Sequence, residues 1–240
     1  MSFLKAAEYQ DGHAGYSDPI DEQHFLVREI NQIQQSPDWK STAVVVAYDD
    51  SDGWYDHAFS TPLNGSKDPA AGSNNLPTDS PACQAGPTAA GGYADRCGPG
   101  TRQPLLVVSP YSKVNTVDHT ATEQASITQF IENNWSTGRI GDASFDQRAG
   151  TLANMFDFRH PNARQVLLNQ DGSVKSVQPI PNSAYSGHAA ATAANTASTD
   201  GVATEQLAET GSFSPAPPIG VGAAVVAGAA GVIEMRRRRA

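Results

Sequence analysis

Apolar positions along this chain fall into a few dense patches separated by long polar stretches. Phe25, Leu26, Val27, Ile30 and Ile33 recur at helical spacing and make one core-facing stripe. Asp21 opens the predicted helix, Glu22 sits in its first turn, and Ser36-Pro37 ends it. The pattern then changes. Ala43 to Ala47, AVVVA, is a valine-rich run that predicts a strand buried on both faces, as in a parallel sheet. Leu105 to Val108 predicts a second buried strand, stopped by Ser109-Pro110. Ile127, Phe130 and Ile131, closed by Trp135, predict a helix over about 122–135 with Thr120 or Thr122 as cap. Helix alternating with strand gives an α/β class with a mainly parallel sheet.

The intervening stretches carry less. Residues 1–20 read as loop, with Asp11-Gly12 and Asp18-Pro19 as turn signals, and contain no apolar core of signal-peptide length. Residues 60–103 exceed the usual loop length several-fold, so they are expected to be functional or clamped. Residues 161–182 predict a strand or strap beyond the main domain, and Phe156 and Phe158 are expected as core anchors. Residues 183–218 are Ala, Thr, Ser and Pro with few large apolar groups, which predicts a disordered linker. A last apolar run, Ile219 to Ile233, precedes four arginines at 236–239. It predicts a membrane-spanning helix over 219–235 and a basic cytoplasmic tail over 236–240, although the run is about five residues short of a full span.

The formal charge of the 240-residue chain is −9, and setting those four arginines aside leaves 12 basic against 25 acidic residues. Such a body repels a nucleic-acid backbone, and no basic patch interleaved with aromatics occurs, so nucleic-acid binding is excluded. Two cysteines, Cys83 and Cys97, flank a Gly/Ala/Pro-rich loop. A disulfide here would stabilise the fold by roughly 3 kcal/mol and imply an oxidising compartment; two free thiols are the alternative.

Candidate chemistry concentrates after the first strand. Asp49, Asp50, Asp52, Asp56 and His57 lie within nine residues, where α/β sheets gather ligands outside the carboxyl ends of strands. A solvated acidic loop is the alternative, but Trp54 and Tyr55 are unusual in one. The segment YDDSDGWYDH resembles the metal-binding segment of the bacterial phosphoesterases, the acid phosphatases and phospholipases C of the alkaline phosphatase-like superfamily. Their pattern is Asp-Glu-x-Gly-Gly, two aromatics, then Asp-His-Val; here Asp50, Asp52 and Ala58 are the departures. GGYADRCGPGTRQPLLVVSPYSKVNTVDHT resembles the same family, as does residues 136–158.

The resemblance covers residues 1 to about 160 and implies the C-terminal part of an alkaline phosphatase-like sandwich. It implies a divalent metal held in part by Asp49 and Asp50. It also implies a catalytic role for His13, whose loop lies about one helix upstream of the aspartate pair, and supporting roles for Asp56, His57, Asp118 and His119. The expected reaction is hydrolysis of a phosphate ester or phospholipid. No serine or threonine of this chain matches the family's nucleophile motif, so a longer parent protein is expected. Arg102 is placed either near an anionic substrate or in an ion pair with part of the acidic excess.

Leu207, Ala208, Glu209, Thr210 and Gly211 spell LAETG, followed by the apolar run and the arginines. That order resembles a cell-wall sorting signal, which implies a sortase as partner, membrane retention through the C-terminal helix, and a cell-surface location. The alternative to an enzyme is a non-catalytic, wall-attached scaffold or interaction module.

Overall fold

The computed structural model describes residues 1–50, 53–66, 83, 91, 97–162, 164–181, 222–228 and 231–234. Its elements are β1 (Ser2–Lys5), α1 (Pro19–Gln34), β2 (Thr42–Tyr48), β3 (Leu105–Val108), α2 (Ala125–Trp135), β4 (Arg164–Leu168), β5 (Val174–Pro179), β6 (Gly222–Gly228) and β7 (Gly231–Glu234).

β2 is the centre of the fold. Thr42 to Ala47 are buried, and Ala43, Val44 and Val45 have no exposed surface. Because side chains alternate across a strand, the run serves two cores at once. Val44 and Val46 pack with Ala6, Phe25 and Trp39, and with Leu26, Ile30 and Ile33 of α1. Ala43 and Val45 pack with Tyr111, Leu152 and Phe156, and with Ile127, Phe130 and Ile131 of α2. Helix, sheet and helix therefore form three layers, in line with the strand buried on both faces that the continuous apolar run predicts. Each valine contributes roughly 1.5–3 kcal/mol by its burial. Phe156 stacks between Phe130 and Phe158 at 5.2 Å from each ring, so both expected anchors are in the core.

The sheet itself differs from expectation. Its strand order is β1-β7-β6-β2-β3, and it is mixed rather than mainly parallel. β2 runs antiparallel to β3, Val45 opposite Val107. The letters of β3 do not fix its direction: a short apolar run suits a parallel or an antiparallel neighbour alike, and its pairing with β2 decides it. β3 is also less buried than its apolar letters suggest. As an edge strand it leaves Leu106 57% exposed.

The other neighbour of β2 is the C-terminal apolar run. All seven residues of β6 pair parallel with β2, Thr42 opposite Gly222 through Tyr48 opposite Gly228, and β7 turns back antiparallel on β6. These residues are strands, not the predicted helix. Glycine weakens a helix, β-branched Val225, Val226, Val232 and Ile233 favour extended backbone, and the edge of β2 offers unpaired backbone groups. Among the described residues no helix is long and apolar enough to cross a membrane. The predicted linker 183–218, including Leu207 to Gly211, and the basic tail 236–240 lie outside the described residues.

Three boundaries moved. Residues 1–20 contain a strand, Ser2–Lys5, and a 3-10 turn, Glu8–Gln10, where loop was expected. α1 starts at Pro19 because Asp18 is its cap: its carboxylate accepts the Ile20 N–H at 2.8 Å, and proline suits the first helical position. α2 starts at Ala125, with neither Thr120 nor Thr122 as cap; instead Ser126 Oγ accepts the Glu123 N–H at 3.0 Å.

Residues 161–182 supply the β4–β5 hairpin. The free edge of β4 is docked on α1 by side-chain amides. Gln34 donates to the Val166 carbonyl (2.6 Å) and accepts its N–H (2.8 Å). Asn31 does the same for Leu168, at 2.8 and 2.9 Å. Cys83 and Cys97 form a disulfide, Cα–Cα 5.5 Å, which resolves the choice left open by their spacing.

Candidate active site

The carboxyl end of β2 delivers Asp49 and Asp50 to the surface, both exposed. Their backbone is held from α2. Gln124 Nε2 donates to the carbonyl of Tyr48 at 3.1 Å and to that of Asp49. Gln124 carries no sequence signal for this role, and it was missed. It works because α2 begins beside the end of the strand.

The His13 loop reaches the same end of the sheet by a different route. Asp11, 3% exposed, accepts the His13 N–H at 3.0 Å and faces the Tyr16 hydroxyl at 3.4 Å. The Tyr16 ring stacks on the imidazole, centroids 4.2 Å apart and planes within 10°. His13 Nδ1 accepts the Gly15 N–H at 3.1 Å, so in the neutral ring the proton sits on Nε2. Loss of solvent pushes the Tyr16 hydroxyl up, and the charges of Asp11, Glu8 and Asp49 push it further.

A second link runs through Glu22. The Tyr48 hydroxyl donates to Glu22 Oε1. Burial first, and this hydrogen bond second, push the tyrosine up, so it stays a donor. The same carboxyl group fills the space beside Gly12, where a Cβ would lie 2.7 Å from Glu22 Cδ. Gly12 also has φ +78°, a conformation that favours glycine. Glu22 thus ties the histidine loop to the last residue of β2. Its sequence signal, an acid in the first turn of a helix, pointed only to the helix dipole.

The expected supporting residues are placed as follows. Asp56 accepts from Arg102 Nε at 2.6 Å and from the Ala58 N–H at 2.8 Å. The backbone bond first, then Arg102, hold its carboxyl below the usual range. Arg102 therefore pairs with the acidic excess. Asp118 Oδ1 accepts the N–H and hydroxyl of Thr120, at 3.1 and 2.9 Å, and shapes the turn ahead of α2. His57 and His119 are exposed. Asp52 lies outside the described residues.

Carboxylate oxygens suit a hard divalent cation. Asp49 and Asp50 supply two side chains of that kind, but among the described residues no group of three or more His, Cys, Asp or Glu side chains could hold a metal ion. The pair fits part of a coordination shell.

Residues 1–138 match the Phosphoesterase family, more than half of the chain and both strands and helices that build the site. The chain belongs to the phosphoesterase family. This phosphoesterase is 32% identical over 147 residues to the non-hemolytic phospholipase C of Burkholderia pseudomallei, covering 58% of this chain and 20% of that protein. It is 27% identical over 146 residues to the hemolytic phospholipase C of Pseudomonas aeruginosa, covering 60% and 19%. It is 26% identical over 176 residues to the non-hemolytic phospholipase C of the same organism, covering 68% and 24%. The chain thus spans about a fifth to a quarter of the length of the curated relatives it matches.

Proposed function

We propose that this phosphoesterase chain supplies the carboxylate and histidine part of a site that hydrolyses phosphate esters. The observation that supports the reading is the Tyr48–Glu22 hydrogen bond, which ties the Gly12–His13 loop to the strand that ends at Asp49 and Asp50, in a member of this family. Asp49 and Asp50 would hold one side of a divalent cation. Such a cation, when bound, polarises a phosphoryl oxygen and activates the attacking group. His13 presents Nε2–H and would bind a phosphate oxygen through it, or protonate the leaving oxygen from the charged ring, with Asp11 and Tyr16 fixing its position. Asp56, His57, Asp118 and His119 would shape the loops around it.

Phospholipid is the favoured substrate class. The relatives are phospholipases C, and the loop after the aspartates carries Trp54, Tyr55 and Phe59, exposed by 78%, 52% and 78%. An apolar rim beside a polar centre suits an ester with acyl chains.

The test is calorimetric titration of Mg²⁺, Mn²⁺, Ca²⁺ and Zn²⁺ into the chain, paired with hydrolysis of p-nitrophenyl phosphate and a phosphatidylcholine analogue. Saturable binding of one cation is expected, lost in Asp49→Ala/Asp50→Ala, with hydrolysis lost in the same variant and in His13→Ala. Equal binding by the variant and the unmutated chain would sink the metal assignment. Full hydrolysis by both variants would remove these residues from catalysis, and absence of both binding and hydrolysis in the unmutated chain would leave the non-catalytic scaffold as the reading.

A further inference from the structure

α1 and the β4–β5 hairpin enclose a groove of about 830 Å³ that shares no residue with the site around Asp49. Its lining contains three cationic or titratable bases, His24, Arg28 and Lys175, and no carboxylate. In a chain of formal charge −9 the charged groups of this lining are all basic, although Glu29, outside it, pairs with Arg28. Neither His24 nor Lys175 has a hydrogen-bond or ion-pair partner among the described residues. Arg28 uses Nε alone, 2.7 Å from Glu29 Oε1, and lies 5.4 Å from the Phe25 ring centroid. Its terminal nitrogens remain available as a fork.

The groove is built rather than incidental. Asn31 and Gln34 clamp β4 to the helix, as described above. Gln23 Nε2 donates to the Gln170 carbonyl at 2.7 Å, which fixes the hairpin turn against the first half of α1. Gly172, at φ +80°, lets that turn close, and Asp171 accepts the Ser173 N–H at 2.9 Å to hold it. Both walls are therefore tied together by hydrogen bonds. Gln32 adds an amide along the helix side, while the Gln35 amide donates to the Asn31 carbonyl at 3.0 Å.

We propose that this groove is a second anion site and binds a phosphate group. A planar guanidinium, a compact ammonium and neighbouring amide donors match the several acceptor oxygens of a tetrahedral phosphate better than they match a single carboxylate. The phosphate can come from free orthophosphate or from an anionic lipid headgroup. The site does not depend on the hydrolytic reading of Asp49, Asp50 and His13.

Two arms test it on the full chain. In the first, inorganic phosphate is titrated while backbone amide and His24 ring resonances are followed by NMR. Saturable shifts centred on Arg28, Gln32 and Lys175 are expected. Affinity should fall about tenfold or more in Arg28→Glu/Lys175→Glu, but not in the control Lys40→Glu. Lys175→Gln, an exposed and unpartnered position, repeats the comparison if the double variant fails to fold, and circular dichroism checks each protein. In the second arm, the chain is floated with phosphatidylcholine vesicles with and without phosphatidylglycerol. Co-flotation that needs the anionic lipid and is lost in Arg28→Glu/Lys175→Glu identifies the headgroup as the source. Phosphate binding without co-flotation identifies the free ion. Absence of both, or shifts that survive the charge reversal, overturns the proposal.

Discussion

Single residues fix the geometry of the candidate site. Gly12 is the clearest case, because an added Cβ meets the Glu22 carboxyl and the backbone is already left-handed. Gly12→Ala should destabilise the chain by about 1–2 kcal/mol in a urea melt. Gly15→Ala, where the nearest atoms are the flexible His13 ring at 3.4 Å, should cost less than about 0.5 kcal/mol. Equal losses would remove the Gly12–Glu22 contact from the argument. Glu132 supplies the pH dependence. It lies on the buried face of α2, beside Arg139 at 2.9 Å and close to Asp146. Desolvation first, with Asp146 adding to it, pushes its carboxyl up despite Arg139. A raised folded value means that the stability tied to its proton is present in acid and is lost as pH rises through that value. Glu132→Gln should therefore gain on the unmutated chain as pH climbs above the ordinary glutamate value of about 4.3. Parallel stability–pH curves for the two proteins would refute this.

At the scale of elements, much was legible. The stripe Phe25 to Ile33 and the run Ala43 to Ala47 forecast α1 and β2 because each pattern is long, apolar and periodic. The capping of α1 was hidden in plain view: Asp18-Pro19 reads as a turn, yet an N-cap followed by proline is equally a helix start. The conformation of residues 222–234 was not legible, since a Gly/Ala/Val run has no period that separates helix from strand, and pairing with β2 decided it. Gln124 was invisible for another reason. A polar residue at a helix start says nothing of which strand end it will face. The docking of β4 by Asn31 and Gln34 is likewise a tertiary fact. Asn31→Ala and Gln34→Ala each leave an N–H and a carbonyl of β4 without their partners. Each should cost about 1–3 kcal/mol locally. Hydrogen exchange at Val166 and Leu168 should quicken while exchange at Val45 stays slow; uniform quickening would mean that the hairpin does not open by itself.

For the whole molecule, the three layers meet on one strand, so stability should be lost in a single transition centred on β2. The disulfide lies outside those layers and acts by closing the Cys83–Cys97 loop. Reduction, or Cys83→Ser/Cys97→Ser, should lower unfolding free energy by roughly 3 kcal/mol, read as a shifted denaturant midpoint with unchanged slope. No shift would show that the loop is already ordered by other means. The amide pairs on β4 have an effect between molecules as well. An exposed strand edge is a template on which a second chain can copy its hydrogen-bond register. Here Asn31 and Gln34 occupy two successive rungs of that ladder with side chains shaped like peptide groups. A helix has thereby terminated the hairpin as a further strand would, without offering a next edge. Self-association through β4 is blocked by two amides.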